Sequence, residues 1–219
     1  MTRRYMLQEI DTVLFDFDGT LVEIDIDFTQ MRQGIFSLGL EYGVSGEPGL
    51  YVLESLEDIF ERLLQLDVNQ ARDFKRRAKR LIASIEVEAA ARSRTMPGAE
   101  RTLRELKDRG IEIGIVTRNC RSGVMKSAEM VDFVYDLILT RDDVEKVKPD
   151  PQHLLDALNI LTSKPGKSIM VGDHPMDILA GKRAGMKTAA VLTSKSIRDF
   201  EEVAPDLILT GVAGLLDIL

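Results

Sequence analysis

The chain has 219 residues, 44% of them hydrophobic and 30% charged, with a formal net charge of −7. That is long and apolar enough to bury a real core and too apolar to stay disordered. The acidic balance disfavours nonspecific nucleic-acid binding, which draws on Lys and Arg neutralising phosphates. It leaves room for an anionic small molecule held by a local cation.

Taken from the N-terminus, Arg3 and Arg4 precede Gln8, Glu9 and Asp11, which interrupt any signal-peptide apolar stretch. No run approaches the roughly 18 apolar residues of a membrane span. Cys120 is the single cysteine, so no intrachain disulfide can form. The expectation is a soluble cytoplasmic protein with no membrane and no nucleic-acid partner.

The first apolar run, residues 12–15, reads as a buried strand. It ends in Asp16-Phe17-Asp18-Gly19-Thr20-Leu21, where alternation puts Asp16 and Asp18 on one side of the backbone. Gly19 permits a sharp turn that brings backbone N–H groups close to whatever the acids hold. Two acids, a tight turn and a hydroxyl suit a divalent cation and a phosphoryl group.

Residues 22–95 then read as helices over 28–42, 51–66 and 69–91, with a glycine-rich loop at 43–49. Leu53, Leu56, Ile59, Phe60, Leu63 and Leu64 recur at helical spacing as core positions. Lys75, Arg76, Arg77, Lys79 and Arg80 read as a solvated basic helix face. Glu23, Asp25 and Asp27 are left open between hinge acids and cleft-facing ones.

From residue 96 onward, strands and helices alternate. Strands are expected at 111–116, 137–139, 169–171, 188–192 and 207–209, and helices at 99–109, 151–161 and 177–184. This alternation predicts an α/β fold, a doubly wound parallel sheet with right-handed crossovers.

Three further segments stand just past predicted strands, where open α/β sheets bind ligands. Thr117, after the strand 111–116, offers a hydroxyl to a phosphate oxygen. Lys148 lies in Val147-Lys148-Pro149-Asp150-Pro151, whose prolines restrict the local backbone. Gly172-Asp173-His174-Pro175-Met176-Asp177 presents two acids four residues apart, the spacing that returns a side chain to one helix face. Paired carboxylates suit a hard cation such as Mg²⁺. His174 reads as a surface or cleft-rim residue, and His153 as exposed or capping.

Together these four segments resemble, in order and form, the motifs of the haloacid dehalogenase-like (HAD) hydrolase superfamily, in its C1-capped phosphatase branch. Met96-Pro97-Gly98-Ala99 and the helical block resemble phosphoglycolate phosphatase-like members. The resemblance implies a Rossmann-like core from residues 1–21 and 96–219, and a helical cap from residues 22–95. It implies Asp16 as nucleophile and Asp18 as general acid/base. Thr117 and Lys148 would contact phosphate, the family pattern choosing Lys148 over Lys146. Mg²⁺ would be held by Asp16, Asp173 and the backbone carbonyl of Asp18, with Asp177 on a metal-bound water or ligating weakly. Where the family commonly has Thr-Asn-Lys, this chain has Thr117-Arg118-Asn119, so Arg118 is open between a substrate contact and an exposed side chain.

The reaction implied is Mg²⁺-dependent hydrolysis of a small phosphorylated metabolite, phosphoglycolate-like or a sugar phosphate, through an aspartyl-phosphate. The alternatives are a phosphosugar mutase on the same core and a non-catalytic phosphate-binding or regulatory protein. A dehalogenase is disfavoured by the second acid, Asp18. The chain would act as a monomer or homodimer.

Overall fold

The computed structural model describes residues 9–46 and 49–219. The arginines at 3 and 4, Gln8, and two residues of the glycine-rich loop lie outside this set. The chain divides into two compact units: one formed by the chain up to Ile24 together with Arg92–Leu219, the other by Asp25–Ala91.

The first unit is built on six parallel strands. β1 (Thr12–Phe15) is followed by β2 (Val22–Glu23), and β3 (Arg94–Thr95) by helix α4 (Ala99–Asp108), with α1 to α3 reserved for the second unit. Then come β4 (Glu112–Val116), α5 (Arg121–Ala128), β5 (Leu137–Leu139) and α6 (Gln152–Ile160). β6 (Ser168–Gly172), α7 (Pro175–Arg183), β7 (Lys187–Val191) and β8 (Leu207–Leu209) complete it. The strand order is β5-β4-β1-β6-β7-β8, so the chain winds outward on one side of β1 and then on the other. The switch point is thus at β1, the position past whose strand end open α/β sheets bind ligands.

Every residue of β1, β6 and the last four of β4 is buried, as strands covered on both faces require. Val13, Phe15, Ile113, Ile115, Ile169 and Val171 join Leu103 and Leu106 of α4 on one face. Leu14, Val116 and Met170 join Leu154 and Leu158 of α6 and Ala180 of α7 on the other. Period-two alternation thus feeds two cores at once.

Sequence reasoning overlooked α5 and the short antiparallel pair β2–β3. Val22 opposes Thr95 and Glu23 opposes Arg94, so these residues belong with the sheet unit rather than with the helices. α5 hides because its face is narrow: Val124 is buried, Met125 is exposed, and Cys120 caps it by accepting the Gly123 N–H at 3.2 Å. α7 starts at Pro175, earlier than the expected 177.

In the second unit, α1 (Phe28–Glu41), α2 (Val52–Leu66) and α3 (Val68–Ala90) pack around Met31, Ile35, Leu56, Ile59, Leu63, Phe74 and Ile82. Leu64, expected among these, is 44% exposed, because it stands about 100° around the helix from Leu63. Asp27 caps α1 by accepting the Gln30 N–H at 2.8 Å. The basic stretch of α3 is partly paired: Lys75 meets Glu57 at 2.8 Å and Arg77 meets Glu41 at 2.7 Å. No helix among the described residues is long and apolar enough to cross a membrane.

Candidate active site

Asp16 follows β1 directly, and its backbone N–H still donates to Val171 of β6 at 2.8 Å. The sheet ladder therefore aims its side chain. Beyond it the chain reverses tightly: Leu21 and Val22 donate to the Phe17 carbonyl, and Gly19 donates to Val22. Gly19 has φ +83°, and a Cβ there would lie 2.3 Å from Asp173 Oδ2. Only glycine lets this turn press against Asp173.

Asp173 follows β6. Its Oδ1 accepts the Thr20 hydroxyl at 3.2 Å and its Oδ2 accepts the Ser194 hydroxyl. Asp177 is the third residue of α7 and closes a capping box with His174, accepting the His174 N–H at 3.1 Å. A Cβ on Gly172 would lie 2.4 Å from the Asp177 Cβ, so glycine is required there as well.

Lys148 is 1% exposed, and its Nζ lies 2.7 Å from Asp16 Oδ1 and 2.6 Å from Asp177 Oδ1. Burial works to discharge it, but the two carboxylates outweigh burial and hold its pKa above the ordinary value. Four residues expected from three separate segments thus meet, and Lys146 instead pairs with Asp150 at 3.5 Å.

One carboxylate oxygen each from Asp16, Asp173 and Asp177 lies within 4.8 Å of the others. Burial and the neighbouring Asp177 charge push Asp16 up to about 6, against the lowering effect of Lys148. Burial, Asp16 and Asp177 push Asp173 up to about 7. Three crowded acids with one ammonium form a set deficient in positive charge. Oxygen-only donors at this spacing fit a hard divalent cation such as Mg²⁺.

Asp18 stands apart from that cluster. Thr117 Oγ1, at the end of β4, donates to Asp18 Oδ2 at 3.2 Å. Asn119 Nδ2 donates to Asp18 Oδ1 at 3.1 Å and to Oδ2 at 3.2 Å. Sequence reasoning missed Asn119. Its signal was the Thr-x-Asn spacing, which repeats the two-residue step of Asp16 and Asp18. Ser194 was missed too, and the hydroxyl pair Thr193-Ser194 just past β7 was its signal.

Arg118 directs its guanidinium at the Met176 sulfur, and its carbonyl accepts from Arg141 Nη1 at 3.0 Å. His174 is half-buried as the N-cap of α7, its Nδ1 accepting the Met176 N–H at 3.2 Å. His153 departs from expectation altogether. It is fully buried in the first turn of α6, with Nδ1 accepting the Lys148 N–H at 3.4 Å. Burial, helped by Lys148, pushes its pKa down to about 3.

The sheet order, the turn after β1 and the acid–lysine cluster together define a hydrolase-type α/β site. The sequence profile of the haloacid dehalogenase-like hydrolase family matches residues 13–191, and the chain belongs to that family. It is 35% identical over 221 residues to the pyrophosphatase PpaX of Bacillus cereus, covering 96% of both chains. Among solved structures it resembles a haloacid dehalogenase-like hydrolase of Bacteroides fragilis, with 27% identity and a TM-score of 0.67, covering 94% of this chain and 99% of that one. The β-phosphoglucomutase of Clostridium difficile shares the fold at 18% identity and a TM-score of 0.67, covering 94% and 93%.

Proposed function

We propose that the protein is a Mg²⁺-dependent phosphatase of small phosphorylated compounds that works through an aspartyl-phosphate on Asp16. The observation carrying this reading is the placement of Lys148 between Asp16 and Asp177, with Asp173 beside them. Asp16, Asp173 and the main chain at Asp18 would hold the cation. When bound, Mg²⁺ supplies positive charge that offsets the carboxylates and polarises the phosphoryl oxygens.

Asp16 attacks phosphorus in line, forming the aspartyl–phosphorus bond as the bond to the leaving oxygen breaks. Asp18 delivers its proton to that oxygen, so the leaving oxygen departs as a hydroxyl. Lys148 keeps Asp16 ionised and oriented, and its fixed charge stabilises the transferring group. Asp177 positions Lys148, both of its oxygens being engaged by Lys148 and the His174 N–H. Water then attacks phosphorus and gives its proton to Asp18, and the bonding pair returns to Asp16 as phosphate leaves.

The relatives named pyrophosphatase make inorganic pyrophosphate the first substrate to test, ahead of phosphoglycolate and sugar phosphates. The mutase likeness is one of fold alone. The helical unit, inserted in sequence between β1 and β4, is in this reading the cap that sets substrate choice.

The test is phosphate release from a panel headed by pyrophosphate, with and without Mg²⁺, for the wild type and Asp16→Asn. Release by the wild type that is abolished by chelation and in the variant is the expected result. Turnover that persists in Asp16→Asn would remove Asp16 as nucleophile.

A further inference from the structure

Asn119 is 2% exposed, yet its hydrogen bonds are strongly lopsided. The Nδ2 group reaches both oxygens of Asp18, at 3.1 and 3.2 Å, while the buried Oδ1 has no hydrogen-bond partner. Buried side-chain amides in a fold normally satisfy both ends. Turning the amide over would direct its carbonyl at a carboxylate, so Asp18 dictates the orientation and the bare carbonyl is its cost. Meanwhile the Asn119 main-chain N–H donates to Thr117 Oγ1 at 3.0 Å, and that hydroxyl passes its own hydrogen to Asp18 at 3.2 Å. One residue therefore engages Asp18 twice, directly and through Thr117.

From this geometry we infer that Asn119 is a positioning residue that holds Asp18 as a carboxylate aimed for the water-activating half of the reaction. The inference rests on the aspartyl-phosphate reading above. An amide N–H can only donate, so the arrangement matches Asp18 once it has given its proton to the leaving group. In that form Asp18 takes a proton from water, the oxygen of that water bonds to phosphorus, and the bond to Asp16 breaks. Without the amide, Asp18 keeps the Thr117 hydroxyl but loses the two hydrogen bonds from Asn119 that fix its orientation, and the second half-reaction slows.

Asn119→Leu separates this role from a structural one. Leucine matches the branched shape of asparagine, removes both donors and also removes the bare carbonyl. The main-chain bond to Thr117 is untouched. With 2,4-dinitrophenyl phosphate, whose leaving group needs no proton, kcat/KM reports phosphoryl transfer to Asp16, whereas kcat includes its hydrolysis. The expected outcome is kcat/KM within about twofold of wild type while kcat falls about tenfold or more. Phosphorylated protein should accumulate on acid quench, and the melting temperature should be held or raised. A parallel fall in both constants, or no fall in kcat, overturns the inference, as does a lower melting temperature with kinetics unchanged. Should the leucine variant fail to fold, Asn119→Ser, which keeps one shorter donor, must show the same split in smaller measure. Absence of any phosphorylated intermediate in the wild type would instead refute the aspartyl-phosphate reading itself.

Discussion

Lys148 and Asp177 form an ion pair of 2.6 Å in which the side chains are 1% and 3% exposed. The pair is three residues into a helix at one end and immediately before Pro149 at the other. Its burial means that neither charge can be relaxed by water, so each depends on the other.

Removing the cation should therefore harm both chemistry and fold. Lys148→Met keeps length and apolar volume but leaves Asp16 and Asp177 facing each other. We expect kcat to fall by about 10²–10³, and the fold to lose about 3–5 kcal/mol, the usual cost of orphaning a buried charge. Chemical denaturation and steady-state rates check the two parts. Asp177→Asn, by contrast, should depress kcat yet retain Mg²⁺ affinity better than Asp173→Asn, read by titration calorimetry.

The crowded acids predict a pH signature in the metal-free protein. Asp16 and Asp173 have ordinary values of 3.8 and stand at about 6 and about 7 in the fold. The folded chain thus binds more protons than the unfolded chain between these limits, so their contribution favours folding at low pH and is lost as pH rises. Melting temperature without metal should fall between pH 5 and pH 8. Mg²⁺ should raise it more at pH 8 than at pH 5, and Asp173→Asn should flatten the difference. An equal Mg²⁺ shift at both pH values would contradict the cluster's role.

His153 has the opposite sign. Its pKa of about 3 against an ordinary 6.5 means that folding holds it neutral, so its contribution is present above 6.5 and lost as pH falls. His153→Gln keeps an acceptor for the Lys148 N–H and cannot be charged. Relative to wild type, its melting temperature should be more favourable at pH 5 than at pH 8.

Gly19→Ala combines a left-handed φ of +83° with a Cβ placed 2.3 Å from Asp173 Oδ2. The strain at φ alone costs about 1 kcal/mol or more. Asp173 must also move off the Thr20 and Ser194 hydroxyls. Mg²⁺ affinity should drop more sharply than thermal stability, and calorimetry beside a melting curve separates the two.

The sequence by itself determined the sheet, because buried parallel strands read as short apolar runs and their turns carry glycine and acids at strand ends. Asp16, Asp18, Thr117, Asp173 and Asp177 were legible as candidates for the same reason, since each follows or closely trails such a run, whereas Lys148 was legible as a candidate from its proline pattern. What the tertiary structure alone decided is who meets whom. Residues 132 positions apart, Asp16 and Lys148, touch only because β1 sits at the switch point of the sheet. Asn119 and Ser194 left only a faint local trace, a two-residue step and a hydroxyl pair, and the buried face of His153 left none, since their meaning lies in partners from other segments. A hydrogen bond between distant segments exists only once backbone packing has fixed both ends, and local sequence carries no record of that distance.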